Sequence, residues 1–344
     1  MRLATYNVEW FDALFDDEGG LLADDARSGR RGVTRFEQAT ALGIVFTALD
    51  ADAVLVVEAP AAHRGRDGVR ALESFAAIYG LRTRRALMGF ANDTRQEIAL
   101  LYDPDAVTAR HDPRGGFSDK DGEPPRFDQP FRIDLDIDDR VDRVAFSKPP
   151  LEVALASAGG ARSLRLIGVH LKSKAPHGAR DRDAVMRAAI ANRRKQLAQA
   201  IWLRRRVDAD LARGSDVIVL GDLNDGPGLD VYEDLFGRSS VEIVMGGDGE
   251  NGLFDPHARE ALERRLGAQP STARFYLDTE RRFLAALLDY VMVSPALMAC
   301  RPAWRIWHPF DDPVCWETPE LRGALLAASD HFPVTLDLDI AARS

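Results

Sequence analysis

An acidic side chain and an amide side chain directly follow one of the most apolar stretches of the chain. In the segment DVIVLGDLND, residues 216–225, four branched apolar residues lead into Gly221, and Asp222 and Asn224 come next. Such an uninterrupted apolar run predicts a strand that is buried on both faces. Because side chains alternate along a strand, Asp222 and Asn224 are predicted to share one face at its end. A carboxylate can take a proton from water and an amide can orient that water, so the pair predicts a hydrolytic site.

Polar residues also end the first two predicted strands. The first strand gives Asn7 and Glu9, two residues apart, and Glu58 ends the apolar run VLVVEAP. An ionised carboxylate beside a buried strand must be paired or must bind a metal ion. Glu9 and Glu58 are therefore candidate metal ligands, and ion pairs with arginine are the alternative for both.

Two histidines occupy similar positions later in the chain. His170 closes the run LRLIGVHLKS, with Lys172 on the same strand face, and Asp330 and His331 precede the last apolar run. Asp289 lies just ahead of another predicted strand and is available to orient the imidazole of His331. A hydrogen-bonded structural histidine and a turn acid are the alternatives for these residues taken singly.

The combination of these groups is more informative than any one of them. In layered α/β proteins, catalytic groups collect where strands end. Oxygen ligands without clustered cysteine or histidine are typical of a hard divalent ion such as Mg²⁺ or Mn²⁺. A hard metal ion, a carboxylate base and cationic donors together predict phosphoester hydrolysis.

Apolar runs typical of buried strands recur along the whole chain and would position these groups. They lie at Leu3–Tyr6, Val54–Val57, Ile98–Tyr102, Leu151–Ala156, Leu164–His170, Val217–Leu220, Leu288–Val293 and Val334–Leu338. Helical patterns lie between several of them: Thr34 and Glu37 form a capping-box pattern, and a basic amphipathic helix is predicted to open at Asp183. No segment has the composition of an interdomain linker. We therefore predict an α/β protein with a single domain over residues 1–344.

Composition limits the compartment and the partners. The chain has 344 residues, 46% of them hydrophobic and 29% charged, and a net charge of −9. No long uncharged apolar run is present, which predicts no membrane span. The N-terminus has no signal-peptide pattern, and Cys300 and Cys315 are too few for a disulfide framework, although one bridge between them is the alternative. If Met1 is the true start, we expect a cytoplasmic protein; no sequence feature predicts its oligomeric state. The negative charge disfavours a broad nucleic-acid surface, whereas the basic helix, Lys172 and Lys174 favour a polyanion.

The order of these motifs resembles the endonuclease/exonuclease/phosphatase superfamily, which includes deoxyribonuclease I, abasic endonucleases, neutral sphingomyelinases and inositol-polyphosphate phosphatases. The resemblance runs from TYNVEW near the N-terminus, through GDLN, to SDHFPV near the C-terminus. It implies a four-layer α/β/β/α sandwich of two mixed β-sheets flanked by helices, with the site at one edge. Val57 stands where many members have glutamine, and the strand-end tyrosine of abasic endonucleases is not evident. Specificity for abasic DNA is therefore not implied.

The resemblance also implies roles for the candidate residues. Asn7 and Glu58 match the N-terminal amide and the metal-binding glutamate of the family, Glu9 stands where many members have aspartate, and Asp330 matches the carboxylate next to the acid–histidine pair. We expect Glu58 to hold the metal ion with help from Glu9, Asn7 and Asp330. Because these positions offer oxygen ligands, the implied cofactor is Mg²⁺ or Mn²⁺.

The remaining matches concern the reaction itself. Asp222 and Asn224 match the pair that positions or activates the attacking water, and Asp289 and His331 match an acid–histidine pair. His170 matches the histidine that deoxyribonuclease-like members place against the scissile phosphate. Asn7, Lys172, Asn224 and His170 are the expected substrate contacts.

We therefore expect a metal-dependent phosphoester hydrolase that cleaves phosphodiester bonds by in-line attack of water activated by Asp222, with nucleic acid as one candidate substrate. A small-molecule or lipid-headgroup phosphodiesterase and a phosphomonoesterase of the same fold are alternatives, and a non-catalytic binding module is a further one. The sequence leaves open which aspartate or histidine removes the proton from water.

Overall fold

The computed structural model describes residues 1–63, 65–117, 123–134, 141–160, 162–175, 181–226, 236–247, 249–263, 269–277 and 281–340. Its strands are β1 (Arg2–Asn7), β2 (Ala53–Ala59), β3 (Arg85–Met88), β4 (Glu97–Tyr102), β5 (Val107–His111), β6 (Phe131–Ile133), β7 (Asp142–Val144), β8 (Leu151–Ser157), β9 (Ser163–His170), β10 (Asp216–Asp222), β11 (Ala273–Leu277), β12 (Arg282–Ala286), β13 (Asp289–Val293), β14 (Ala303–Ile306) and β15 (Val334–Asp337). Its α-helices are α1 (Arg35–Leu49), α2 (Gly68–Ile78), α3 (Arg182–Ala212), α4 (Ser240–Met245), α5 (Pro256–Glu263), α6 (Pro313–Glu317) and α7 (Pro319–Ala328). Short 3-10 helices lie at Phe11–Leu14 and Pro295–Cys300.

Two large mixed sheets form the centre of the fold. The six-stranded sheet has the order β14-β15-β1-β2-β4-β3, and the five-stranded sheet has the order β13-β10-β9-β8-β5. β1 and β2 are parallel in the first sheet, and β9 and β10 are parallel in the second, whereas their other neighbours pair antiparallel. Each apolar run that the sequence predicted as a strand overlaps a strand of these two sheets.

The apolar strands are buried because both of their faces are covered. Along β2, Val54 and Val56 point into a cluster with the helices, while Leu55 and Val57 point into a cluster formed between the two sheets. β10 alternates in the same way between a helix-side cluster and the cluster between the sheets. Full burial of one such side chain contributes about 1.5–3 kcal/mol. This double burial explains why the runs have no polar alternation.

Helices cover the outer face of each sheet and complete four layers. α1, α2 and α7 pack against the six-stranded sheet, and α3, α4 and α5 pack against the five-stranded sheet. The predicted α/β/β/α sandwich is therefore confirmed. The capping box of α1 is also present, because the Thr34 amide donates to the Glu37 carboxylate at 2.8 Å. α3 begins at Arg182 instead of Asp183, because Asp181 caps it by accepting the Ala184 amide at 2.8 Å.

Two further features bear on the composition-based predictions. Within the described ranges, no helix combines the length and the apolar character needed to cross a bilayer. Cys300 and Cys315 are both buried and both free of disulfide bonds. The prediction of one domain over residues 1–344 stays a prediction.

Candidate active site

The ends of five strands meet at one edge of the sandwich. The parallel register of β9 and β10 places His170 beside Asp222, and the antiparallel register of β10 and β13 places Asp289 on the other side of Asp222. In the other sheet, Asn7 ends β1 beside Val57 of β2. The Asn7 amide donates to the Asp222 carboxylate at 3.0 Å and so joins the two sheets at this edge.

A cleft of about 610 Å³ opens at this edge. All the residues predicted for the site except Asp289 line it: Asn7, Glu9, Glu58, His170, Lys172, Asp222, Asn224, Asp330 and His331. Asp289 does not line the cleft, but its carboxylate is hydrogen-bonded to His331, which does. The sequence thus identified a set of residues that the fold brings together.

A β-bulge turns Glu58 into the cleft. The register between β2 and β4 shifts between Val57 and Ala59, so Glu58 is the extra residue of the bulge. Its φ of 60° is unfavourable for a side chain of this size, and such strain concentrates at functional sites. In the described ranges no arginine is paired with Glu58, so the arginine alternative does not hold for this residue.

Glu9 combines the two readings that the sequence left open. Its carboxylate lines the cleft and also forms an ion pair with Arg30. Burial and the neighbouring Asp330 charge raise the pKa of Glu9 to about 7, although Arg30 opposes the shift. Burial likewise raises the pKa of Glu58, against the opposing charge of Lys148. These carboxylates therefore lie close enough to destabilise one another without a cation.

The oxygen atoms of Asn7, Glu9, Glu58 and Asp330 form a donor set that fits a hard divalent ion. The Asn7 side-chain oxygen is buried and has no hydrogen-bond partner among the described residues, while its amide nitrogen is bound to Asp222. Together with Glu9, Glu58 and Asp330, it forms an oxygen-only set of the kind that Mg²⁺ or Mn²⁺ prefers.

A second group of possible metal ligands lies beside this set, since Asn7 contacts Asp222 at 3.0 Å and Asp330 lies 4.0 Å from His331. Ligand atoms of Asp222, Asp289 and His331 lie within 4.8 Å of one another. Its histidine is hydrogen-bonded to Asp289 at 2.7 Å, and binding a metal ion through it would require release of the imidazole proton. The oxygen-only set therefore fits a divalent ion better.

Asp222 and Asn224 lie side by side, but for a different reason from the one predicted. β10 ends at Asp222, and Asn224 has a φ of 51°, so strand alternation does not continue to it. Instead the chain turns, and the Asn224 backbone and side-chain amides donate to the two Asp222 oxygens at 2.7 and 3.1 Å. Burial and the nearby Asp289 charge raise the pKa of Asp222 to about 7, against the opposing charge of His331.

Gly221 allows this strand end to form. Its φ is 131°, and a Cβ at this position would lie 2.1 Å from the carbonyl oxygen of Val169 on the neighbouring strand. No other residue fits there without moving the backbone that carries Asp222 and His170.

His331 is held by an acid and a hydroxyl. Its Nδ1 lies 2.7 Å from the Asp289 carboxylate, which also accepts the Thr272 hydroxyl at 2.8 Å. Burial disfavours the charged imidazole, but the charge and the hydrogen bond of Asp289 outweigh it and raise the pKa of His331 well above 6.5. The Ser329 hydroxyl accepts the His331 backbone amide at 3.1 Å and donates to the Asn7 carbonyl at 2.8 Å. An imidazolium is therefore fixed beside the cleft.

Lys148 is a cleft residue that sequence reasoning missed. It precedes β8, and its ammonium lies 3.2 Å from the ring nitrogens of His170. Burial and then the Lys148 charge lower the pKa of His170 well below 6.5, so its imidazole is neutral. The ammonium is equally far from Nδ1 and Nε2, and Nε2 lies 3.7 Å from the Asp222 carboxylate. A single lysine in a loop carries no spacing pattern that could have identified it.

The two predicted lysines have different environments. Lys172 lines the cleft, and its backbone amide is bound by the Gln199 side chain at 2.9 Å. Lys174 forms an ion pair with Asp225 at 2.6 Å, so much of its charge is compensated within the protein. Of the two, Lys172 is the better candidate for a substrate contact.

Comparison with known families agrees with this geometry. The sequence model of the Endonuclease/Exonuclease/phosphatase family matches residues 4–331. The chain belongs to this family. Its members are phosphoesterases and nucleases, which supports a phosphoester hydrolase. A search of curated protein sequences gives no significant match.

Solved structures share the fold at low sequence identity. TDP2 from C. elegans is 14% identical, with a TM-score of 0.50 and coverage of 97% of this chain and 74% of that one. A truncated form of TDP2 from Caenorhabditis elegans is 13% identical, with the same TM-score and coverage of 97% and 96%. A 3' phosphatase, NExo, from Neisseria, bound to a product DNA hairpin, is 15% identical, with a TM-score of 0.49 and coverage of 98% and 99%. The two structures of TDP2 support the deoxyribonuclease I-like fold and nothing more specific.

Proposed function

We propose that this protein is a divalent-metal-dependent phosphodiesterase of the nuclease type. The observation that carries the proposal is the position of Asp222. Its buried carboxylate has a pKa of about 7 and lies between neutral His170 and charged His331, beside an oxygen-rich donor set. A general base is most effective when its pKa lies near the working pH.

Glu58, Glu9, Asn7 and Asp330 are the residues that would hold Mg²⁺ or Mn²⁺. A bound divalent ion supplies positive charge that stabilises the negative charge on the phosphate while water displaces the leaving group. No histidine belongs to this set, so the imidazoles are left for direct contact with the substrate.

Asp222 and Asn224 would hold and activate the attacking water. Both amide hydrogens of Asn224 have acceptors, because its nitrogen donates to Asp222 and to the Leu171 carbonyl, each at 3.1 Å. Its side-chain oxygen accepts no hydrogen bond from the described residues and is available for the water. In this proposal Asp222 is the base that takes the proton from that water.

His331 and His170 would stabilise the phosphate oxygens. Because Asp289 holds His331 in the charged form, His331 acts as a cationic donor and not as the base. His170 would donate from one of its ring nitrogens, while burial and the Lys148 charge keep the imidazole neutral. Fixed donors of this kind stabilise charge that develops in the transition state.

A phosphomonoesterase is the second candidate. Lys148 and Lys172 both line the cleft, and two ammonium groups suit the dianionic phosphate of a monoester. The substrate comparison below separates the two candidates.

The test compares Mg²⁺-dependent hydrolysis of plasmid DNA, single-stranded DNA, RNA, methyl 4-nitrophenyl phosphate and 4-nitrophenyl phosphate. The Asp222→Asn variant should lose at least about 100-fold in kcat, because a positioned general base contributes about 10²–10⁴-fold. Asp216→Asn is the matched control, since Asp216 starts the same strand and pairs with Arg162 away from the cleft. A wild type that hydrolyses none of these substrates, or an equally active Asp222→Asn variant, would refute the proposal.

A further inference from the structure

A second cavity opens directly beside the cleft. It has a volume of about 590 Å³ and shares Glu9 and Asp330 with the cleft as a common wall. Its other side is formed largely by Arg31, Arg274 and the β11–β12 ribbon. A substrate whose phosphate lies against Asp330 therefore has room to place its next group in this cavity.

The chemistry of the second cavity differs from that of the cleft. Tyr276 and Phe283 form a cross-strand pair in the ribbon, with ring centroids 5.1 Å apart. The Arg274 guanidinium lies 3.5 Å from the Phe283 ring centroid, and the Arg31 guanidinium lies 4.7 Å from that of Tyr276. Stacking on Phe283 fixes the plane of the Arg274 guanidinium while leaving its N–H edges available to an anion. Phe283 is 49% exposed, so part of its ring surface is open to a ligand in this cavity.

Arg274 is available to a ligand and is fixed relative to the cleft. Among the residues that the structure describes, no carboxylate lies within ion-pair distance of Arg274. Its backbone amide donates to the Asp330 carbonyl at 2.7 Å, and Ala273 forms a bridge with His331. The Phe332 amide also donates to the Thr272 carbonyl at 2.6 Å. The ribbon is thus hydrogen-bonded to the segment that carries two predicted site residues.

We propose that this cavity binds the nucleotide unit next to the scissile phosphate. The base would stack on the exposed part of the Phe283 ring, and Arg274 would bind the flanking phosphate. The proposal rests on the proposed function, because it assumes that the reacting phosphodiester lies in the neighbouring cleft. It narrows the substrate class to phosphodiesters that carry a nucleoside.

Other phosphodiesters use these side chains less well. The arginines would repel the quaternary ammonium of a choline headgroup, which needs an aromatic cage without adjacent cations. An inositol phosphate would bind Arg274 but would leave the exposed part of the Phe283 ring without a partner. A base with a phosphate on either side uses both, because every base has a flat face that can stack.

The kinetic test uses substrates that differ only in the flanking group. Methyl 4-nitrophenyl phosphate and the 5'- and 3'-(4-nitrophenyl phosphate) esters of thymidine release the same chromophore. We expect wild type to prefer at least one thymidine ester, and Phe283→Ala and Arg274→Ala to lower kcat/KM for that ester about tenfold. This estimate follows from the usual effect of removing one base-stacking aromatic group. Activity on the methyl ester should change less than about twofold, since neither residue lines the cleft.

A binding measurement separates this proposal from the proposed function. Fluorescence anisotropy with a labelled eight-residue oligothymidylate, in EDTA, should show about tenfold weaker binding by both variants. Arg322→Ala and Trp316→Ala are matched controls, because Arg322 stacks on Trp316 at 4.6 Å and neither residue lines either cavity.

The possible outcomes are distinct. Weaker binding by the Phe283 and Arg274 variants alone supports the subsite, even if the wild type cleaves nothing and the proposed function fails. Unchanged binding, or equal losses on the methyl and thymidine esters, overturns the subsite while leaving the hydrolase proposal intact.

Discussion

Replacing Asp289 with asparagine tests how His331 is used. The Asp289 carboxylate accepts hydrogen bonds from His331 at 2.7 Å and from Thr272 at 2.8 Å, both in the protein interior. Asparagine has the same shape, and its oxygen can still accept both bonds, so the substitution removes the charge and little else. Asp289 is what raises the pKa of His331 well above 6.5 against the effect of burial. Without that charge, only the Asp222 and Asp330 charges oppose the effect of burial, so the pKa of His331 should fall and the ring should lose its charge more easily.

The size of the effect follows from the role of a charged donor. Removing one fixed donor to the developing charge of a transition state costs about 10²–10³ in kcat, or about 2.7–4 kcal/mol. We therefore expect Asp289→Asn to lower kcat on the best diester by about 100- to 1000-fold at pH 7.5. KM should change much less, because the charge acts mainly in the transition state.

Two measurements check the Asp289→Asn prediction. Steady-state kinetics with excess Mg²⁺ gives kcat. Asp216→Asn is the matched control, because it removes a carboxylate from the start of the neighbouring strand β10, away from the cleft. An NMR titration of the His331 ring gives its pKa directly: the pKa of the wild-type ring should lie well above 6.5, and that of the variant ring should be clearly lower. A variant whose kcat stays within about threefold of wild type, or whose His331 pKa equals that of wild type, would show that this reasoning is wrong.

The buried strands were predictable because their pattern is local. In β2 and β10, four or more consecutive apolar residues are needed to fill the clusters on both faces of a sheet. The edge strands β3, β5 and β14 were not predicted, because each is only partly buried and carries no such run. Their pairing is set by neighbours that are distant in sequence, and no local pattern records it.

The types of the site residues were predictable, but the way in which the backbone presents them was not. Glu58 reaches the cleft through a bulge and Asn224 through a turn, both with positive φ. Regular alternation along the strands would not have placed both of these side chains in the cleft. Strain of this kind is maintained by the surrounding tertiary contacts, such as the close approach at Gly221.

Residues that act on the site through tertiary contacts were missed for a related reason. Lys148 reaches His170 from a loop 22 residues earlier, and Thr272 reaches Asp289 from 17 residues away. Neither sits at a strand end in an apolar run, so neither has a signal of its own. The motifs of the family consist of residues at strand ends. Supporting residues such as Lys148 and Thr272 lie outside those motifs, so the resemblance did not identify them.

Two further substitutions test the supporting structure. Lys148→Met removes the ammonium beside His170 and should lower kcat/KM by about 10- to 100-fold, since a hydrogen bond to a charged group contributes about 1.5–3 kcal/mol; Lys148→Arg should retain more activity, and equal losses in both would contradict a role for the charge. Gly221→Ala should lower the free energy of unfolding by about 2–6 kcal/mol, because the left-handed backbone and the overlap with the Val169 carbonyl each cost about 1–3 kcal/mol. Gly323→Ala in α7 is its control: nothing lies within 4 Å of the added methyl group, and alanine favours a helix by about 0.5–1 kcal/mol. Urea unfolding measures both, and a Gly221→Ala variant as stable as wild type would show that the strand end can relax, so the glycine would not be required to hold Asp222 in place.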